Sequence, residues 1–219
     1  MGEPKSIFAT FGWTETPVIS AILRYGLKEG DKIFLILPEW RDERSDAAIR
    51  DLKSFISSTK GVDVQEIRVN LEDFASSVSR IRRAIEDERG RKCIVNLSGG
   101  MRALVLSTYI AASVANHPNL SLELETENRR MRIEVPKLSV RDLSNTKLSR
   151  RMIQTMRKLL SGPKRSPDLR RELGISSSSF HRIQEELEKR GYIERRKVGK
   201  AYLISLTPRG RLILEFMGR

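Results

Sequence analysis

The sequence predicts an α/β domain with a mostly parallel sheet, followed by a smaller basic domain of three helices, a β-hairpin and a last helix. Three observations carry this. Over the first ~140 residues, short β-rich runs alternate with amphipathic helical stretches. Beyond about residue 147 the pattern becomes helix, helix, helix, strand, strand, helix. Charge divides the same way: the 219 residues carry a formal net charge of +13, and residues 150–219 hold 18 Lys and Arg against 7 Asp and Glu, or +11, leaving +2 for the rest.

Each element has its own signal. "SIFATFG" (6–12) and "KIFLILP" (32–38) are short strands closed by Gly and Pro. Between them "TPVISAILRYG" reads as a helix, with Pro17 in its first turn and Gly26 at its end. A charged loop, "EWRDERS", precedes a helix at about 45–59, where Ala48, Leu52, Phe55 and Ile56 recur at helical spacing. "DVQEIRVN" is the next strand, followed by a helix at about 73–88 carrying Phe74, Val78, Ile81 and Ile85. "KCIVNLS" leads into "GMRALVLSTYIAASVAN", a nearly all-apolar helix. Strands separated by helices imply right-handed crossovers and a parallel sheet covered on both faces. "LSLELETE" and "MRIEVPKL" instead alternate around a polar "NR" turn and predict a hairpin on the sheet edge. Residues 1–138 thus read as a Rossmann-like domain. The stretch 139–147, "SVRDLSNTK", reads as a linker.

Residues 148–219 predict helices at 148–161, 166–173, 176–190 and 208–217, with strands at 192–197 and 201–207 around the basic tip "RRKVGK". Three helices followed by a hairpin make a winged helix-turn-helix, and its charge suits a polyanion. If Phe180, Ile183 and Leu187 face the core, Ser177, Ser178, His181, Arg182 and Glu185 face outward, where a recognition helix enters the major groove. Hydroxyls there suit phosphate oxygens, while His181 and Arg182 suit base edges. Ser176 reads as a helix cap. Arg195, Arg196, Lys197 and Lys200 crowd the wing, where phosphates or the minor groove would lie. Double-stranded DNA is the expected partner.

Other classes fall away. No apolar run reaches the ~18–20 residues of a membrane span, and "MGEPKS" lacks the apolar core of a signal peptide. The single cysteine, Cys93, has no disulfide partner, so a cytoplasmic location is expected. His117 and His181 are the only histidines and neither sits in a ligand cluster, so neither a metal nor a cofactor is expected. Neither G-x-G-x-x-G after the first strand nor G-x-x-x-x-G-K-[ST] occurs, and G-x-S-x-G is absent as well.

Two loops remain, at the carboxyl ends of strands and just before helix N-termini: "FGWTET" (11–16) and "NLSGGMR" (96–102). Such ends favour anions. Gly99 and Gly100 either make a tight turn or let a phosphate-containing ligand approach the backbone, with Ser98 and Arg102 beside it.

With G-W-T-E-T after the first strand, S-G-G-M-R after the fourth and a C-terminal winged helix, the chain resembles the CRISPR-associated Rossmann-fold (CARF) regulators of archaea. The resemblance spans essentially the whole chain. It implies a homodimer paired through the Rossmann domains, with a shared pocket for cyclic oligoadenylate, cyclic tetra-adenylate being the usual species for this branch. Residue by residue, it implies ligand contacts at Gly12, Trp13, Thr14 and Glu15, and at Ser98, Gly99, Gly100, Met101 and Arg102. Many members carry Asp at the position of Asn96, which belongs to the same loop. The expected activity is ligand-controlled transcription regulation of CRISPR-Cas genes, not catalysis. Two alternatives stand beside it: a ring nuclease that cleaves its cyclic ligand without metal, and a DNA-binding dimer without a nucleotide ligand.

Overall fold

The structure, a computed structural model, describes residues 3–57, 59, 61–128, 130–137, 148–199 and 201–217. The chain divides into two compact units, residues 1–137 and 138–219. The stretch 139–147, read as a linker, lies outside the described residues.

The first unit alternates β1 (Lys5–Thr10), α1 (Thr16–Tyr25), β2 (Lys32–Pro38), α2 (Glu43–Ile56), β3 (Asp63–Val69), α3 (Phe74–Asp87), β4 (Lys92–Asn96) and α4 (Arg102–Val114), then closes with β5 (Leu120–Glu125) and β6 (Arg132–Val135). The sheet order is β3-β2-β1-β4-β5-β6, parallel through β5, with β6 antiparallel on the edge. The chain therefore leaves the centre in one direction after β1 and in the other after β4. That reversal opens a crevice outside the carboxyl ends of β1 and β4. The central strands are apolar on both faces because helices cover both. Ile7, Ala9, Ile33, Leu35 and Leu37 pack under α1 and α2. Phe8, Phe34, Ile36 and Val95 pack under α3 and α4, where the Phe8 and Phe34 rings stack with centroids 4.4 Å apart.

Two aromatic side chains expected in the core are not there: Phe55 and Phe74 are each 40% exposed. Helical spacing admits a stripe wider than the buried one, and on α2 Ile49 completes the inner face with Ala48, Leu52 and Ile56.

The second unit runs α5 (Arg150–Lys158), β7 (Lys164–Arg165), α6 (Ser166–Leu173), α7 (Ser177–Lys189), β8 (Ile193–Val198), β9 (Ala201–Leu206) and α8 (Pro208–Met217). The hairpin β8–β9 is the wing, and the two-residue β7 adds to its β9 edge. Met156, Leu169, Phe180, Leu187, Tyr192, Ile204 and Ile213 form one core. Gly174 ends α6 in the left-handed region, at φ 61°, and two residues later Ser176 caps α7 by accepting from the Ser179 amide at 3.3 Å. The tight turn between the second and third helices therefore comes from "GIS" itself.

Candidate functional site

The two loops at the crevice are held back to back. The Thr10 hydroxyl donates to the Gly99 carbonyl at 2.6 Å. A Cβ on Gly99 would lie 2.6 Å from the Thr10 carbonyl oxygen, and one on Gly12 would lie 3.0 Å from the Gly100 Cα. Gly100 itself has φ +78°, a region that disfavours side chains. The glycines thus have a reason internal to the protein: the backbones of two loops meet there.

What the loops present is unusual. α2 and α3 begin with aspartate caps, Asp42 accepting from the Arg44 amide and Asp73 from the Ser76 amide. α1 and α4, whose N-termini face the crevice, have no side-chain cap and no acidic residue in the first turn. The first residue of α4 is instead Arg102, exposed and without a hydrogen bond or ion pair among the described residues. A cation at the positive end of a helix is electrostatically unfavourable. At α1 the first amides are taken, Thr16 by the Thr14 hydroxyl at 3.3 Å and Val18 by the Glu15 carbonyl, with Pro17 lacking one. The uncapped start of α4 with its guanidinium is the end whose chemistry suits an anion.

Two cavities flank Gly100, which lines both. One, of about 260 Å³, is walled by Phe11, Trp13, Trp40, Arg68 and Met101. The other, of about 540 Å³, is walled by Ser98, Gly99, Arg102, Leu106 and Glu125. Trp13 is 67% exposed and so is not a core residue; its indole N–H donates to Asp42, and the Arg44 guanidinium lies 5.4 Å from the ring centroid. Trp40, half exposed at the end of β2, was not singled out in the sequence. Its position just beyond Pro38, at a strand's carboxyl end, was the available signal. The Thr14 hydroxyl is turned toward Thr16, 2.8 Å from its Oγ1. Glu15 uses its backbone, its carbonyl accepting from Val18 and Ile19 at the start of α1.

Asn96 is buried and works from beneath. Its amide nitrogen donates to Glu123 Oε1 at 2.9 Å, and its oxygen accepts from the Ser98 amide at 3.0 Å. The Ser98 hydroxyl in turn accepts from the Glu125 amide at 2.9 Å. Glu123 is held by Arg24 at 2.9 Å, the Tyr25 hydroxyl at 2.5 Å and Arg132 at 3.3 Å. Burial, then the bond to Glu123, pushes the Tyr25 hydroxyl up to about 12. This network ties the Ser98–Gly99–Gly100 loop to α1 and β6. No sequence signal disclosed Glu123 or Glu125, because alternation in "LSLELETE" reads as a solvated polar face.

In the second unit Ser177, Ser178, His181 and Arg182 all lie exposed on α7. His181 Nε2 is 3.2 Å from Glu185 one turn on. On the wing Arg196 and Lys197 are exposed, and Lys200 lies outside the described residues. Arg195 is otherwise engaged: its guanidinium pairs with Glu188 and stands 5.6 Å from the Tyr202 ring centroid, with its side chain only 19% exposed. It braces the wing against α7.

Among the described residues no cluster of His, Cys, Asp or Glu is arranged to hold a metal, and no helix is long and apolar enough to cross a membrane. Cys93 is buried, which raises its thiol to about 12.

Comparison with known proteins finds a separate family for each end of the chain. Residues 179–218 match the DUF6293 C-terminal winged helix domain. No protein of curated function matches. Among solved structures, the chain is similar to a probable transcriptional regulator from Pseudomonas aeruginosa (29% identity, 33% of this chain and 57% of that one, TM-score 0.32). It is also similar to the zinc-responsive MarR family member ZitR of Lactococcus lactis (18%, 34% and 54%, 0.32) and to the regulator BldR of Sulfolobus solfataricus (20%, 33% and 54%, 0.31). The chain thus spans a little over half the length of each of these structures. Residues 5–136, more than half of the chain, match the Csa3 CRISPR-associated Rossmann-like domain, and the chain belongs to that family, with a winged helix domain at its C-terminal end.

Proposed function

We propose that the protein is a dimeric transcription regulator of CRISPR-Cas genes that binds cyclic oligoadenylate, cyclic tetra-adenylate first among them, at its α/β domain and DNA through its winged helix. The observation that carries this reading is the unpaired Arg102 at the uncapped start of α4, beside the Gly99–Gly100 ledge at the reversal of strand order. Phosphate satisfies both the guanidinium and the free amides. The aromatic cavity across Gly100 suits a nucleobase, with Trp13 and Trp40 as stacking faces.

The homodimer has its own support. Leu106, Ile110 and Val114 recur every four residues along α4 and are 55%, 37% and 50% exposed, an apolar stripe on the surface of the unit. Leu106 also walls the Arg102 cavity, so a partner seated on the stripe completes the pocket. Cyclic tetra-adenylate has the two-fold symmetry such a pair requires.

A thermal-shift titration with cyclic tetra-adenylate tests the reading, with cyclic hexa-adenylate, linear tetra-adenylate and cyclic di-AMP as controls. At ~100 times its dissociation constant the ligand adds about 2.7 kcal/mol of apparent stability. The expected result is a shift for the tetra-adenylate ring that Arg102→Ala removes. No shift with any ring leaves the loops as plain turns and favours a nucleotide-free DNA-binding dimer. The ring is expected to stay intact. Chromatography of the ligand after hours of incubation checks this.

A further inference from the structure

The outward stripe of α7 carries an acid among its polar and basic side chains. Ser178, His181, Arg182 and Glu185 follow one another at i, i+3, i+4 and i+7, so they share one face, and all four are exposed. The other two acids of the helix are tied into the fold: Glu186 pairs with Arg190 at 2.6 Å, and Glu188 pairs with Arg195 of β8. Glu185 has no Lys or Arg at ion-pair distance among the described residues. Its neighbour is His181, whose Nε2 stands 3.2 Å from Glu185 Oε1, and its side chain is 57% exposed.

A carboxylate is a poor guest on a surface that meets DNA. It accepts hydrogen bonds and donates none, so phosphates repel it. So do O6 and N7 of guanine, N7 of adenine and O4 of thymine. Cytosine differs, because its edge in the major groove offers the N4 amino donor with no acceptor beside it. Adenine has a donor too, but sets N7 next to it, a pattern that suits an amide. His181, one turn earlier on the same stripe, lies against one carboxylate oxygen and steadies the side chain. We infer that Glu185 reads sequence, accepting a hydrogen bond from N4 of a cytosine in the major groove. The inference rests on the DNA-binding reading above and assigns one further residue to base recognition within it.

Selection of duplexes from a randomised pool by the full chain, then titration of the selected duplex with each base in turn at each position, tests this. The wild type is expected to require cytosine at one position of the site, each other base there costing about tenfold in affinity. Glu185→Ala, checked for folding by its melting temperature, is expected to bring the four bases at that position within about threefold of one another. Preferences at the other positions are expected to stay. A wild-type site in which no position requires cytosine overturns the inference while leaving DNA binding intact, and needs no variant. A cytosine preference that survives in folded Glu185→Ala also overturns it, by placing the recognition elsewhere. So does a uniform gain in affinity for all duplexes with base preferences unaltered, which makes Glu185 a repelling surface charge only. Failure of the wild type to enrich any duplex overturns the DNA-binding reading and the base assignment together.

Discussion

Asn96 shows how much one atom can decide. Its amide nitrogen faces Glu123 Oε1 at 2.9 Å in a buried network. An aspartate there would set two carboxylates against each other, so the side chain at 96 and the one at 123 are chosen together. Asn96→Asp is expected to cost about 1–3 kcal/mol of stability at neutral pH. The like charge raises the carboxyl pKa of the pair in the folded state above its unfolded value. The penalty is therefore smallest in acid, where one of the two is protonated, and grows as pH rises through that window. Thermal melts at pH 5 and pH 8 check it; an equal loss at both overturns the pairing. The glycines were visible in the sequence as a turn with a choice of causes. Their contact with Thr10 and Gly12 was not, because those residues lie some ninety positions away, and only the sheet register brings β1 beside β4.

At the scale of elements, local signals were legible. The Pro, Gly and Ser punctuation set the helix and strand boundaries to within a few residues, and the alternation of "MRIEVPKL" marked the antiparallel edge. β7 escaped because two residues have no periodicity. Glu123 and Glu125 escaped because alternation says which residues share a face of a strand, not what covers that face; here Arg24 and Tyr25 of α1 cover it. The same distinction governs the winged helix. Arg182→Ala on α7 is expected to lower discrimination between sequences, by ~1–3 kcal/mol for a bidentate base contact. Lys197→Ala on the wing is expected to weaken all sequences alike and flatten the salt dependence. Arg195→Ala is expected to lower the melting temperature instead, since its partners are Glu188 and Tyr202. Binding to matched and scrambled operators across salt concentrations, alongside thermal melts, separates the three.

For the molecule as a whole, charge was the most direct guide: a nearly neutral α/β unit and a strongly basic winged unit. Oligomeric state was less legible, because an all-apolar helix such as α4 reads as buried throughout. The structure buries Leu104, Ala111 and Ala112 and leaves Leu106, Ile110 and Val114 outside. Ile110→Glu, in the middle of that stripe, is expected to give a monomer by sedimentation velocity with the fold retained. Unchanged sedimentation would overturn the assignment of this stripe to a dimer contact.

α4 also has a mechanical consequence. Its thirteen residues form an unbroken rod about 20 Å long, with Arg102 at its tip and the apolar stripe along its flank. Its inner side is packed against α3 and against β1, β2 and β5, with Leu104, Ala111 and Ala112 fully buried. A rod seated in this way has little slack. A load applied at the tip is taken up along the whole flank, and a fraction of an ångström at one end is felt by whatever leans on the other.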